Sequence, residues 1–165
     1  MVRDEEIKRL VHYLKACGVR VVIKNYNIDE SGSVVEDKGI KTVYVNKKYH
    51  RSKTDIILTL LHEASHVKYH ALYPEHSFAG IDVDEEGEYV KVSKTVRKKA
   101  LQFEIDSYVL IPDIMKEFEI TVPMKKVEAA IALDTWIYEM WVEHAEWPTR
   151  KETRQKYTQI MEKLN

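Results

Sequence analysis

The chain has 165 residues, a formal net charge of −1 and one cysteine, Cys17. That length suits one domain with a real core, and 44% hydrophobic with 32% charged residues suits a globular chain. Near-neutral charge argues against the broad basic footprint of a nucleic-acid binder, and a lone cysteine excludes an intrachain disulfide. No apolar run approaches a membrane span, and residues 1–6 lack the apolar core of a signal peptide, so the expectation is a cytoplasmic protein with no membrane partner.

In chain order, Ile7, Leu10, Val11 and Leu14 recur at helical spacing, and Gly18 is a natural stop. Cys17, at the end of that helix, reads as a buried structural thiol. Val19 to Tyr26 is β-branched, with Val19, Val21 and Ile23 alternating against Arg20 and Lys24. Residues 27–39 are polar, with a turn expected at Ser31-Gly32-Ser33. Ile40 to Asn46 is a second strand by the same alternation. A helix is then expected from Ser52 to Tyr73, opened by a capping box of Ser52 and Asp55 and ended by Pro74. Residues 75–92 look irregular. Their acidic run, residues 82–88, lacks the spacing of a calcium loop and reads as a solvated loop, with a lid as the minority reading.

Val96, Ala100, Phe103, Ser107 and Leu110 trace a helix that must stop near Pro112. Pro123 fits the first turn of the next, with Val127, Ala130, Ile131, Asp134, Ile137, Tyr138 and Trp141 on one side. Trp147-Pro148 breaks it. A second capping box, Thr149 with Glu152, opens a last helix with the stripe Tyr157, Ile160, Met161 and Leu164. Helix, two strands, then helices reads as α+β: mostly helical, with a short N-terminal sheet of two to three strands. The expected organisation is one domain over residues 1–165, with a core at 19–112 and C-terminal helices at 113–165.

Within the second helix stands His62-Glu63-Ala64-Ser65-His66, an HExxH motif. Positions i and i+4 lie on one helical face, so two imidazoles can share one Zn²⁺. Glu63 sits beside them, where its carboxylate can take a proton from water at the metal. Ile56, Ile57, Leu58, Leu60, Leu61 and Val67 place apolar surface on more than one side, so this helix should be mostly buried. Ala64 and Ser65 are small enough to admit a close neighbour.

A catalytic zinc site needs a third protein ligand. His70 is about 12 Å along the helix axis from His62, too far to share an ion. Tyr69 and Tyr73 occupy the positions that a longer HExxHxxGxxH pattern gives to Gly and His. The better source is the next long helix, with Glu104 or Asp106. Two residues apart, they point about 200° apart and cannot both face the metal directly. Glu104 shares a face with Ala100, Ser107 and Tyr108 and is the expected ligand. Asp106 is the alternative, or a group behind the ligands. A zinc hydrolase also needs a donor for the developing oxyanion, and Tyr108, Tyr138 and His144 are the candidates.

Two basic groups stand elsewhere in the chain. Lys47, Lys48, Arg51 and Lys53 crowd a helix N-terminus against its dipole, which hints at an anionic partner, although a solvated turn is the plainer reading. Lys94, Arg97, Lys98 and Lys99 read as a wet helix face.

The run Ile40-Lys41-Thr42-Val43-Tyr44-Val45-Asn46, followed by Thr59-Leu60-Leu61-His62-Glu63-Ala64-Ser65-His66, resembles the ImmA/IrrE family of metallopeptidases. That family's pattern is an edge strand ending in Asn, a spacer, then T-L-x-HE-x-x-H. Its downstream signature resembles E-A-[ND]-x-F-A-x-x-L-L-x-P, against Glu104-Ile105-Asp106-Ser107-Tyr108-Val109-Leu110-Ile111-Pro112 here. Ile105 replaces Ala, Tyr108 replaces Phe, and proline arrives about three residues early. The resemblance spans about residues 19–112. It implies a small zincin-like metallopeptidase domain that binds Zn²⁺ and cleaves a specific regulatory protein, often of a phage or mobile element. The broader class of HExxH enzymes with a downstream Glu ligand stands without it.

The leading expectation is therefore a zinc-dependent peptidase with His62, His66 and Glu104 as ligands and Glu63 as base. The alternative is a non-catalytic or weakly catalytic metal-containing protein that docks a regulatory partner. An intact Glu63 favours the enzyme, because a docking site needs no base. A zinc hydrolase of non-peptide substrates is a third reading. Peptide deformylase fits poorly, since its cysteine ligand would have to be Cys17.

Overall fold

A computed structural model describes residues 2–25, 32–37, 39–50, 52–76 and 92–164. By contacts the chain forms two compact units, each built from two separate stretches. The first takes residues 1–72 and 108–122; the second takes 73–107 and 123–165. The fold is α+β and mostly helical, with its sheet near the N-terminus. No helix among the described residues is long and apolar enough to cross a membrane.

In the first unit, helix α1 (Val2–Ala16) buries Leu10 and Leu14 completely, and Ile7 and Val11 by half. Gly18, at φ +79°, ends it: Val19 N–H donates to the Leu14 carbonyl and Gly18 N–H to the Lys15 carbonyl, each at 3.0 Å. This is a Schellman cap, and both Val19 and Leu14 are buried. Cys17 lies in this turn and is exposed, which corrects the expectation of a buried thiol. The helical period no longer applies one residue past Ala16.

Among the described residues the sheet has three strands in the order β1 (Arg20–Lys24), β3 (Ile40–Asn46), β2 (Gly32–Asp37). β1 runs parallel to β3 and β2 antiparallel. The turn expected at 31–33 is thus overturned from Gly32 onward: the backbone of Gly32 and Ser33 already pairs with Val45 and Tyr44. β2 occupies β3's other side, so the strand ending in Asn46 is central and not an edge. Thr42, Val43, Val45 and Asn46 are all buried, so side chains of both parities are removed from solvent on this central strand and the alternation is lost. The Asn46 side chain accepts the Lys48 N–H at 3.3 Å and its carbonyl accepts the Tyr49 N–H at 3.0 Å. These bonds turn the chain out of β3 toward the next helix.

That helix, α2 (Lys53–Leu72), opens on the expected capping box. Asp55 N–H donates to Ser52 Oγ at 3.3 Å, and Ser52 N–H to Asp55 Oδ2 at 2.9 Å. Lys53, one of the crowded cations, pairs with Asp4 at 2.7 Å. α2 packs on α1, β3 and the short α4 (Ile111–Glu117), burying Ile56, Ile57, Leu60, Leu61 and Ala64. Truncating Leu60 or Leu61 to Ala would cost about 2–5 kcal/mol. Leu72 is the last helical residue, and Pro74–His76 form a 3₁₀ turn. The acidic run 82–88, with its loop and lid readings, lies outside the described residues.

α4 was not expected. Pro112 does not simply end the preceding helix; it sits in the first turn of a new one, where its missing N–H costs nothing. α4 closes on Glu119, at φ +51°, in the same cap as α1. Ile120 N–H donates to the Met115 carbonyl at 2.8 Å, and Glu119 N–H to the Lys116 carbonyl at 3.4 Å.

In the second unit, α3 (Lys94–Tyr108) is capped by Ser93, whose Oγ accepts the Val96 N–H at 3.3 Å. α5 (Met124–His144) packs on α6 (Arg150–Lys163). Arg97 is no wet-face residue: it donates to the Val92 and Val142 carbonyls and lies 6.0 Å from the Trp141 ring centre. The Thr149–Glu152 capping box forms as expected. The α6 stripe, however, contains no fully buried residue, and Tyr157 and Leu164 remain 37% exposed.

Candidate metal centre

The helical period puts His62 and His66 about 40° apart on one face of α2. Their Nε2 atoms face each other at 2.9 Å, with ring centres 4.5 Å apart. Both rings are half-buried at the side of the helix, next to the fully apolar sector that Leu60, Leu61 and Ala64 drive inward. Glu63 follows on the buried side at 6% exposure.

α3 runs unbroken to Tyr108, and Tyr108 belongs to the same unit as α2. Its ring centre lies 5.5 Å from that of His62, tilted by 53°. Glu104 stands one turn earlier on the same face of α3. Ala100, Glu104, Ser107 and Tyr108 are all buried, as a shared face requires. One ligand atom each from His62, His66 and Glu104 lies within 4.8 Å of the others.

Among the described residues this is the group of His, Cys, Asp and Glu side chains close enough to hold one ion. Asp106 is outside it, half-buried and accepting a 2.7 Å bond from Gln102 Nε2. His70 is half-buried and also outside the group. Of the oxyanion candidates, Tyr108 is buried against His62. Tyr138 meets Trp141 and Trp147 edge-on, with centroids at 6.1 and 5.4 Å, and His144 is exposed in the last turn of α5.

The donor chemistry fits a zinc ion. Two imidazoles and one carboxylate form a known catalytic set, whereas Mg²⁺ and Ca²⁺ favour oxygen ligands throughout. Two nitrogens on a tetrahedral zinc stand roughly 3.3 Å apart. The two Nε2 atoms are already within a few tenths of an ångström of that separation.

Sequence reasoning gave Ser65 no role beyond its small size, and Ser107 none beyond a helical face. Each proves to be fully buried, three residues after a candidate ligand, with its hydroxyl bonded to that residue's backbone carbonyl. The repeated spacing, His62 to Ser65 and Glu104 to Ser107, is the signal that could have found them.

No protein-family model matches this chain, and neither a curated protein nor a solved structure does.

Proposed function

We propose that the chain is a zinc-dependent metallopeptidase of the HExxH type. The observation that carries this reading is the convergence of His62, His66 and Glu104, with buried Glu63 adjacent in sequence. His62 and His66 would hold the ion through Nε2, and Glu104 through its carboxylate. Bound there, zinc supplies a Lewis acid that polarises an acyl oxygen and eases the ionisation of water.

The remaining work falls to the chain's own groups. Glu63 takes the proton of the attacking water and delivers it to the nitrogen of the leaving amine. Tyr108, packed on the His62 ring, holds that imidazole's orientation and is the nearest of the three oxyanion candidates in sequence to a ligand. Asp106 stays on the flank of α3 and takes no part.

The substrate is an internal bond in a specific regulatory protein, and the setting is the cytoplasm, in a phage or mobile element. The support is the resemblance to the ImmA/IrrE pattern at residues 40–46, 59–66 and 104–112, an argument by analogy. β3's central place in the sheet departs from that pattern.

The test pairs elemental analysis with a lysate-wide comparison of cleavage by wild type and Glu63→Gln. The expected result is about one zinc per chain in both, few and specific cuts by wild type, and none by the variant, which keeps the size and loses the base. A zinc-loaded wild type that cuts nothing the variant spares would leave the docking protein as the reading. Rapid digestion of unfolded casein would sink the regulatory substrate.

A further inference from the structure

We propose that Ser65 and Ser107 are positioning residues for the metal centre, each fixing the peptide that carries a ligand three residues before it. The proposal rests on the metal reading above and deepens it.

Ser65 Oγ donates to the His62 carbonyl at 2.6 Å. Ser107 Oγ donates to the Glu104 carbonyl at 2.8 Å. Both serines are 0% exposed. In an α-helix each of these carbonyls also accepts an amide four residues on: His66 N–H for His62, Tyr108 N–H for Glu104. A carbonyl has two lone pairs, so both are engaged at the ligand residue.

This has a geometric consequence. A hydroxyl bonding back within a helix tilts the accepting peptide and bends the local axis. At His62 the doubly bonded peptide lies in the turn joining the two imidazoles, so its tilt bears on how their Nε2 atoms face each other. At Glu104 the same arrangement sets the turn that joins the carboxylate ligand to Tyr108, whose ring abuts His62. Two of the three ligands, on different helices, thus share one device. Among the described residues, Thr153 and Thr158 of α6 also bond back, to the Thr149 and Arg154 carbonyls at 3.0 and 3.1 Å, but these bonds are exposed and reach four residues back.

A plain alternative is that each serine merely satisfies its own buried hydroxyl. The two readings separate on metal affinity. Ala has the higher helix propensity and removes only the oxygen, so Ser65→Ala and Ser107→Ala should fold. On the full chain, Zn²⁺ affinity is measured by competition with a chromophoric chelator and Co²⁺ by its visible absorption. Melting of the metal-free chain is followed by circular dichroism.

Each alanine variant should bind Zn²⁺ about 10-fold more weakly or worse, in the range seen when groups behind metal ligands are lost. The Co²⁺ band should change shape, while metal-free melting moves by no more than about 2 °C, under 1 kcal/mol for a chain of this size. Thr158→Ala, removing an exposed back-bond on a helix that supplies no candidate ligand, should change neither metal readout. Affinities within twofold of wild type with an unchanged cobalt band overturn the proposal while leaving the metal centre standing. So does a matching loss of metal-free stability, which is general loosening. A wild type that takes up neither metal overturns the centre itself, and the positioning role with it. Should Ser65→Ala fail to fold, Ser107→Ala on the other helix decides the question.

Discussion

Glu104 and Asp106 stand two residues apart on one helix, and the chemistry assigned to this chain depends on which of them faces the histidines. Glu104 is 6% exposed and close to both; Asp106 is half-buried and engaged by Gln102. Glu104→Ala should therefore weaken zinc by more than the roughly 10–100-fold of a group behind the ligands. Asp106→Ala should stay near wild type. Equal losses in a chelator competition would refute the assignment. This distinction was legible in the sequence because helical geometry alone sends the two carboxylates to different faces. Cys17 was not legible. Extrapolating the helix by one residue placed it indoors, whereas the chain had already turned at Gly18.

At the scale of elements, three helices among the described residues end on a residue in the left-handed region: Gly18 after α1, Glu119 after α4 and Ala145 after α5. Only the first is glycine. A Cβ at Gly18 meets nothing within 4 Å, so Gly18→Ala should cost only the backbone strain, about 1 kcal/mol. Glu119→Gly should do the reverse, gaining about 0.5–1 kcal/mol. The exposed Arg9–Glu119 ion pair it loses is long, at 3.9 Å, and worth little. Urea melts of the two variants check both signs; a destabilised Glu119→Gly would mean that the carboxylate matters more than the strain.

The same caps explain what could be read beforehand. Gly18 and the two capping boxes carry local chemistry that needs no partner, so those boundaries followed from the residues. β2 is held by pairing to β3 across the chain, and α4 by packing on α2, so neither shows in a local window. Glu119 hid the end of α4 because it is not the residue such a cap favours.

On the scale of the molecule, the segment after α4 is tied to α1 through a buried charge. Glu6, 0% exposed, accepts the Thr121 N–H at 2.5 Å and hydroxyl at 2.8 Å, and pairs with Arg3 at 2.7 Å. Burial alone would raise its pKa, but the bonds from Thr121 and Arg3 outweigh that and hold it below the ordinary value of 4.5. A carboxyl whose pKa is lowered by folding stabilises the folded state above its unfolded pKa, and the benefit fades as pH falls through the folded value. Glu6→Gln should cost about 1–3 kcal/mol at pH 7, because it leaves buried partners poorly matched. The gap between variant and wild type should narrow below about pH 4.5. Urea denaturation of the metal-free chain at both pH values tests this, free of any loss of bound metal that acid would also bring. A gap that stays constant with pH would show that shape, not charge, is what Glu6 contributes.

The interleaved order of the two units bears on synthesis. The stretch ending at Leu72, which already holds His62 and His66, lacks residues 108–122 of its own unit until roughly fifty more residues are made. At ~5–20 residues per second, this leaves the apolar flank of α2 that α4 will cover without its partner for several seconds on the ribosome. Nascent chains stalled before residue 108 should therefore engage chaperones more strongly than chains stalled after residue 122.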